Sequence, residues 1–201
     1  VKKWRVGDTA IRLPNAAIPG AVVFSPSGDR IAISDDTGRV HVLDAYTQHW
    51  IKSIEFAKNA ESLYWPTSNR LYVGLDGNGL MQIDPSNGDR RAIFKSGVVS
   101  CFDAHPDGGF LAGFSDGHLM HISLEGEIKA RANPGRPDAN GLMVSPMRIS
   151  TSAEGRQVAI VGGERSANVQ LFSLDDWSQV EGIPSTILNY EFDVDFSPSG
   201  K

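Results

Sequence analysis

Val22-Val23-Phe24-Ser25-Pro26-Ser27-Gly28-Asp29-Arg30-Ile31-Ala32-Ile33 reads as strand, tight turn, strand. Apolar residues flank a Ser-Pro-Ser-Gly break, and glycine suits the last corner of such a turn because it tolerates positive φ. The same pattern returns at residues 63–73 around Ser68-Asn69 and at 101–112 around His105-Pro106-Asp107-Gly108. It returns again at 147–160 around Ala153-Glu154-Gly155, and at 194–201 around Pro198-Ser199-Gly200. The turn anchors Gly28, Asn69, Gly108, Gly155 and Gly200 are 41, 39, 47 and 45 residues apart.

A second pattern keeps step with the first. Residues 38–44, 78–84, 117–123 and 167–173 are expected as third strands, alternating with the period of two that marks a half-buried sheet. Weaker fourth strands are expected at 50–56, 90–94, 127–132 and 179–182. Four short strands in a unit of about forty residues describe a β-propeller blade. The expected fold is therefore all-β, a propeller of four-stranded antiparallel blades at 20–60, 61–97, 98–143 and 144–192, with a fifth starting at 193–201. Residues 1–19 are expected to supply the outer strand of a neighbouring blade, with Trp4 and Ile11-Arg12-Leu13 packing inward.

Four stretches give the chain a resemblance to the WD-repeat propellers. These are Phe24-Ser25-Pro26-Ser27-Gly28, Phe196-Ser197-Pro198-Ser199-Gly200, His105-Pro106-Asp107-Gly108, and the Asp116-Gly117 turn before a third strand. Where that family ends the third strand in Trp-Asp, this chain carries Leu43-Asp44, Ile83-Asp84, Ile122-Ser123 and Phe172-Ser173. The family's Gly-His before the first strand is missing from every unit, so its hydrogen-bonded His–Asp–Trp arrangement is expected to be absent. The resemblance covers residues 20–201 and implies a propeller of about seven blades. This chain would supply about four complete blades and the start of a fifth. The others would come from a longer parent chain, another subunit or another copy, because an open arc leaves sheet edges in water.

Composition narrows the function. The 201 residues are 40% hydrophobic and 21% charged, enough for a packed core, and 21 glycines with 11 prolines favour turns over long helices. A net charge of −5 argues against a surface that coats nucleic acid, and no apolar run approaches the length of a membrane span. Val1-Lys2-Lys3-Trp4-Arg5 lacks the apolar stretch of a signal peptide, which favours the cytoplasm. The one cysteine, Cys101, lies in a strand-like run and is expected to be a buried thiol.

No residues assemble a catalytic, cofactor or metal site. His118 and His121 are three apart on a strand and point to opposite faces, and His105 is expected to be solvated in its turn. Asp76-Gly77-Asn78-Gly79 lacks the third ligand and the twelfth-position glutamate of a calcium loop. Asp193 and Asp195 are expected to face solvent, and the cluster Arg90-Arg91-Lys95 to guard an outer strand. Phosphate-loop and His-Glu-x-x-His motifs do not occur.

The loops carry the functional expectation. The longer steps of 47 and 45 residues come from insertions at 133–141, 163–168 and 183–190, all connections that leave a meandering blade at the same end. Arg136, Asp138, Asn140, Arg165 and Tyr190 are therefore expected to gather on one face and bind a partner. The expected function is a non-enzymatic scaffold that binds other proteins, the rest of the propeller among them, within a larger assembly. Two alternatives stand beside it. One is a lactonase- or quinoprotein-like propeller whose central-channel site is completed by missing blades, and the other is an RNA-associated scaffold.

Overall fold

The computed structural model describes residues 11–133, 146–162, 168–183 and 193–197. Among them, one 3-10 turn, Pro14–Ala16, is the whole helical content. Everything else regular is strand, in four antiparallel sheets of four. Sheet 1 comprises β1 (Pro19–Phe24), β2 (Arg30–Asp35), β3 (Arg39–Asp44) and β4 (Trp50–Glu55). Sheet 2 comprises β5 (Ala60–Thr67), β6 (Arg70–Leu75), β7 (Gly79–Ile83) and β8 (Arg90–Phe94). Sheet 3 comprises β9 (Val99–Ala104), β10 (Phe110–Phe114), β11 (Leu119–Ile122) and β12 (Ile128–Ala132). Sheet 4 comprises β13 (Pro146–Thr151), β14 (Gln157–Gly162), β15 (Asn168–Ser173) and β16 (Gln179–Ile183). Every sheet is a simple meander in chain order.

The hairpin joining first and second strands is built the same way three times. Gly28, Gly108 and Gly155 adopt φ of 71°, 89° and 66°. Each donates its N–H to the carbonyl three residues back, on Ser25, His105 and Ser152, at 2.7–3.0 Å. The fourth hairpin departs from the expected pattern. In sheet 2, Thr67 pairs directly with Arg70, so two residues turn the chain and Asn69 takes no left-handed conformation.

Third strands end in a turn held by their last or next residue. Asp44 Oδ1 accepts from the N–H groups of Tyr46 and Thr47 and from the Thr47 hydroxyl at 2.7–3.0 Å. Asp84 does the same with Ser86, and Ser123 and Ser173 accept from Glu125 and Asp175 through their hydroxyls. Polar side chains of this size fold back onto their own backbone, which is why these positions carry Asp or Ser.

Successive sheets are joined at their first strands: β1 packs on β5, β5 on β9, and β9 on β13. Serine hydroxyls bridge two of these steps, Ser62 donating to the Val99 carbonyl at 2.6 Å and Ser100 to the Pro146 carbonyl. Beyond β13, the segment 193–197 takes the corresponding place, with Phe196 N–H donating to Ser150 Oγ at 3.2 Å. The crossing is close. A Cβ on Gly74 would overlap Ser62 Oγ and lie 2.6 Å from the Val99 carbonyl oxygen, so β6 needs glycine there.

The core lies between sheets. Ala32, Val40, Val42 and Ile54 of sheet 1 meet Trp65, Leu71, Val73 and Ile83 of sheet 2. Tyr72 and Leu80 meet Phe110, Ala112, Phe114 and Met120 of sheet 3. Cys101, Leu111 and Leu119 meet Ile149, Val158, Ile160 and Phe172 of sheet 4. Neighbours along β6 and β10 therefore face opposite sheets, and both strands read as unbroken apolar runs because both faces are covered.

Candidate interaction surface

In a four-stranded meander, the connections between strands two and three and those leading to the next sheet emerge at one end. The ladder of sheet 4 places the roots of the enlarged connections there: Pro146 pairs with Gly162, Gly162 with Asn168, and Val169 with Ile183. The residues expected to bind a partner, Arg136, Asp138, Asn140, Arg165 and Tyr190, all lie outside the described residues. Their roots share an end of the sheet.

At the same end, a groove of about 380 Å³ opens between sheets 2 and 3. Phe94 closes β8 and Phe114 closes β10, and their rings meet edge to face at 5.5 Å. Met120 joins them from β11, and Gly97 and Asn133 mark where the connections leave. Arg131, on the outer strand β12, lays its guanidinium over the Phe94 ring at 5.4 Å. Among the described residues Arg131 has no carboxylate partner. On the other wall, His118 Nδ1 meets Asp116 Oδ1 at 3.0 Å. Among the described residues the walls are thus apolar and aromatic, with one cation lacking a carboxylate partner and one internally matched pair.

The opposite end of the same two sheets carries a polar hollow of about 450 Å³ lined by Arg70, Arg90, Arg91, Asp84, Asp89 and Glu125. The arginines there are engaged. Arg90 donates to the Glu55 carbonyl of sheet 1 at 3.0 Å, and Arg91 to the Glu125 carbonyl of sheet 3. Arg70 Nη1 and the Tyr72 hydroxyl both donate to the Leu124 carbonyl, at 2.8 and 2.7 Å. Adjacent residues on β8 point to opposite faces and so tie both neighbouring sheets. These side chains join sheets as well as guarding an edge.

Three polar clusters missed or misread in the sequence are structural. His41 is 1% exposed in the otherwise apolar run Val40-His41-Val42-Leu43. Its Nε2 donates to Asp35 Oδ2 at 2.8 Å, while Nδ1 contacts Ser53 Oγ at 2.8 Å and Trp50 stands edge-on at 4.9 Å. A His–Asp bond beside a tryptophan thus occurs in sheet 1, built from the end of the second strand, the third strand and the fourth strand. Asp35 is buried, which alone raises its pKa. The His41 and Thr37 side chains and the Arg39 and Thr37 N–H groups outweigh that and lower it to about 2.

His105 is 8% exposed, not solvated. It stacks on His121 at 3.7 Å, and its Nδ1 accepts from the Asp107 N–H, while His121 Nε2 donates to the Gly108 carbonyl. Burial first, then the neighbouring imidazole, lowers its pKa. His121 and His118 therefore have separate partners.

Asp103, between β9 and β13, accepts from the Thr151 N–H at 2.5 Å, and burial, aided by the charge of Asp195, raises its pKa. Asp193 and Asp195 are exposed, and Asp195 accepts from Ser150 Oγ at 3.1 Å. Cys101 is buried, which pushes its thiol up to about 12 and keeps it protonated.

Among the described residues no group of three or more His, Cys, Asp or Glu is placed to hold a metal ion, and no helix is long and apolar enough to cross a membrane. No known family model matches the chain, and no curated protein matches it either.

Proposed function

We propose that the four sheets are consecutive blades of a WD-repeat-like β-propeller that works as a non-catalytic protein-interaction scaffold within a larger assembly. The regular succession of first strands supports the arrangement: each sheet presents its first strand to the next, and residues 193–197 continue the series beyond sheet 4. One observation carries the functional reading. The roots of all three enlarged connections and the aromatic groove between sheets 2 and 3 lie at the same end, so a rigid stack of sheets offers one continuous binding face. Arg136, Asp138, Asn140, Arg165 and Tyr190 are the partner-binding residues of that face, and further sheets of the propeller are partners of the stack.

The test is a quantitative pull-down with Arg136→Ala, Arg165→Ala and Tyr190→Ala, separately and together. The triple variant is expected to lose at least about tenfold in partner capture, the loss of roughly one interface anchor, with an unchanged thermal midpoint. Unchanged capture by a folded triple variant removes the loops from the interface.

A further inference from the structure

Among the described residues, the groove between sheets 2 and 3 holds a cation without a matching anion. The Arg131 guanidinium lies over the Phe94 ring with its carbon 5.4 Å from the ring centre, and no carboxylate of a described residue answers it. The nearest acidic group on the facing wall, Asp116, is occupied twice by His118, through Nδ1 at 3.0 Å and through the backbone N–H at 3.2 Å. Phe94, Phe114 and Met120 line the same groove. A guanidinium over an aromatic ring can still present its planar N–H fork, and that fork matches a carboxylate with two parallel hydrogen bonds.

We propose that this groove is a docking site for an extended segment of a partner protein that carries an acidic side chain next to a large apolar one. The carboxylate pairs with Arg131, and the apolar side chain enters the cleft over Phe94 toward Phe114 and Met120. A volume of about 380 Å³ accommodates a short stretch of side chains rather than a folded domain. The chain's own charge adds selectivity. With a net charge of −5 the molecule repels acidic polymers as a whole, so attraction is confined to the position where Arg131 stands. The inference rests on the interaction reading and names the chemistry of one partner.

The experiment is a protein-observed NMR titration with two isosteric probes, N-acetyl-Phe-Glu-amide and N-acetyl-Phe-Gln-amide. Saturable shifts are expected for the backbone amides of Gly97, His118, Arg131 and Asn133 with the glutamate probe. Both the glutamine probe and the Arg131→Gln variant are expected to bind at least about tenfold more weakly, the scale of one charge-assisted pair. Arg131→Lys is expected to fall between, since a point charge replaces the fork. Equal affinity for the two probes, shifts confined to other surfaces, or undiminished binding by a folded Arg131→Gln variant overturns the assignment. If the probe binds as expected while Arg131→Gln captures partner proteins unchanged, the ligand site stands and the scaffold reading fails at this groove.

Discussion

Asp35 shows how much one side chain can hold. Its Oδ1 accepts from the Thr37 N–H, the Thr37 hydroxyl and the Arg39 N–H at 2.7–3.0 Å, while Oδ2 accepts from the Nε2–H of buried His41. A carboxylate with a folded pKa of about 2, against 3.8 for the free group, stabilises the fold above pH 4 and ceases to do so as pH falls toward 2. The shift corresponds to about 2 kcal/mol. Urea unfolding followed from pH 4.5 to about pH 2 is therefore expected to show that loss in the wild type and a flatter profile in Asp35→Asn, relative to its own value at pH 4.5. Parallel profiles would mean that the charge of Asp35 does not matter. None of this was legible in the sequence beyond a polar residue inside Val40-His41-Val42-Leu43, because Asp35 and His41 meet only when a turn brings two strands together. His105 misled for the opposite reason: a histidine in a turn reads as solvated, and only the stack on His121 from another strand buries it.

At the level of the element, turns were the most legible feature and their purpose the least. The Ser-Pro-Ser-Gly and His-Pro-Asp-Gly corners fall where glycine takes positive φ, whereas Ser68-Asn69 closes a shorter hairpin whose direct Thr67–Arg70 pair needs no such corner. Asp44 and Asp84 fold back on their own turns, a job Ser123 and Ser173 also perform. That interchange makes a prediction. Asp84→Ala is expected to lower stability by about 1 kcal/mol, the value of a partly exposed side-chain hydrogen bond, and Asp84→Ser to recover most of it. Denaturant midpoints of the two variants check this, and equal midpoints would show that the turn does not depend on the side chain. The groove was not foreseen, since Phe94, Phe114 and Arg131 sit in three strands spread over 38 residues and each reads alone as a strand residue.

For the molecule as a whole, the main inter-sheet packing of the described strands runs between consecutive sheets. Stability in such a stack is a sum of units and of the interfaces between neighbours. Sheets 2 and 3 each have two such interfaces. Amide hydrogen exchange is therefore expected to be slower in β6 and β10 than in the corresponding strands β2 and β14, by an amount that sheet-by-sheet mass spectrometry resolves. Uniform protection across the four sheets would show a single cooperative block instead. The repeat made the sheets readable from residue spacing; their joints were not, because a serine or arginine reaching across a gap leaves no periodic trace. Those joints share a property with its own consequence. Arg70, Arg90, Arg91, Ser62, Ser100 and Lys52 all reach main-chain carbonyls of an adjacent sheet. A grip on main-chain oxygen ignores which residue supplies it, so these fastenings follow the course of the neighbouring backbone, while the side chains packed between the sheets answer to its composition. A foreign unit of the same backbone geometry would meet these fastenings in place, and the side chains packed between the sheets are what would have to be refitted.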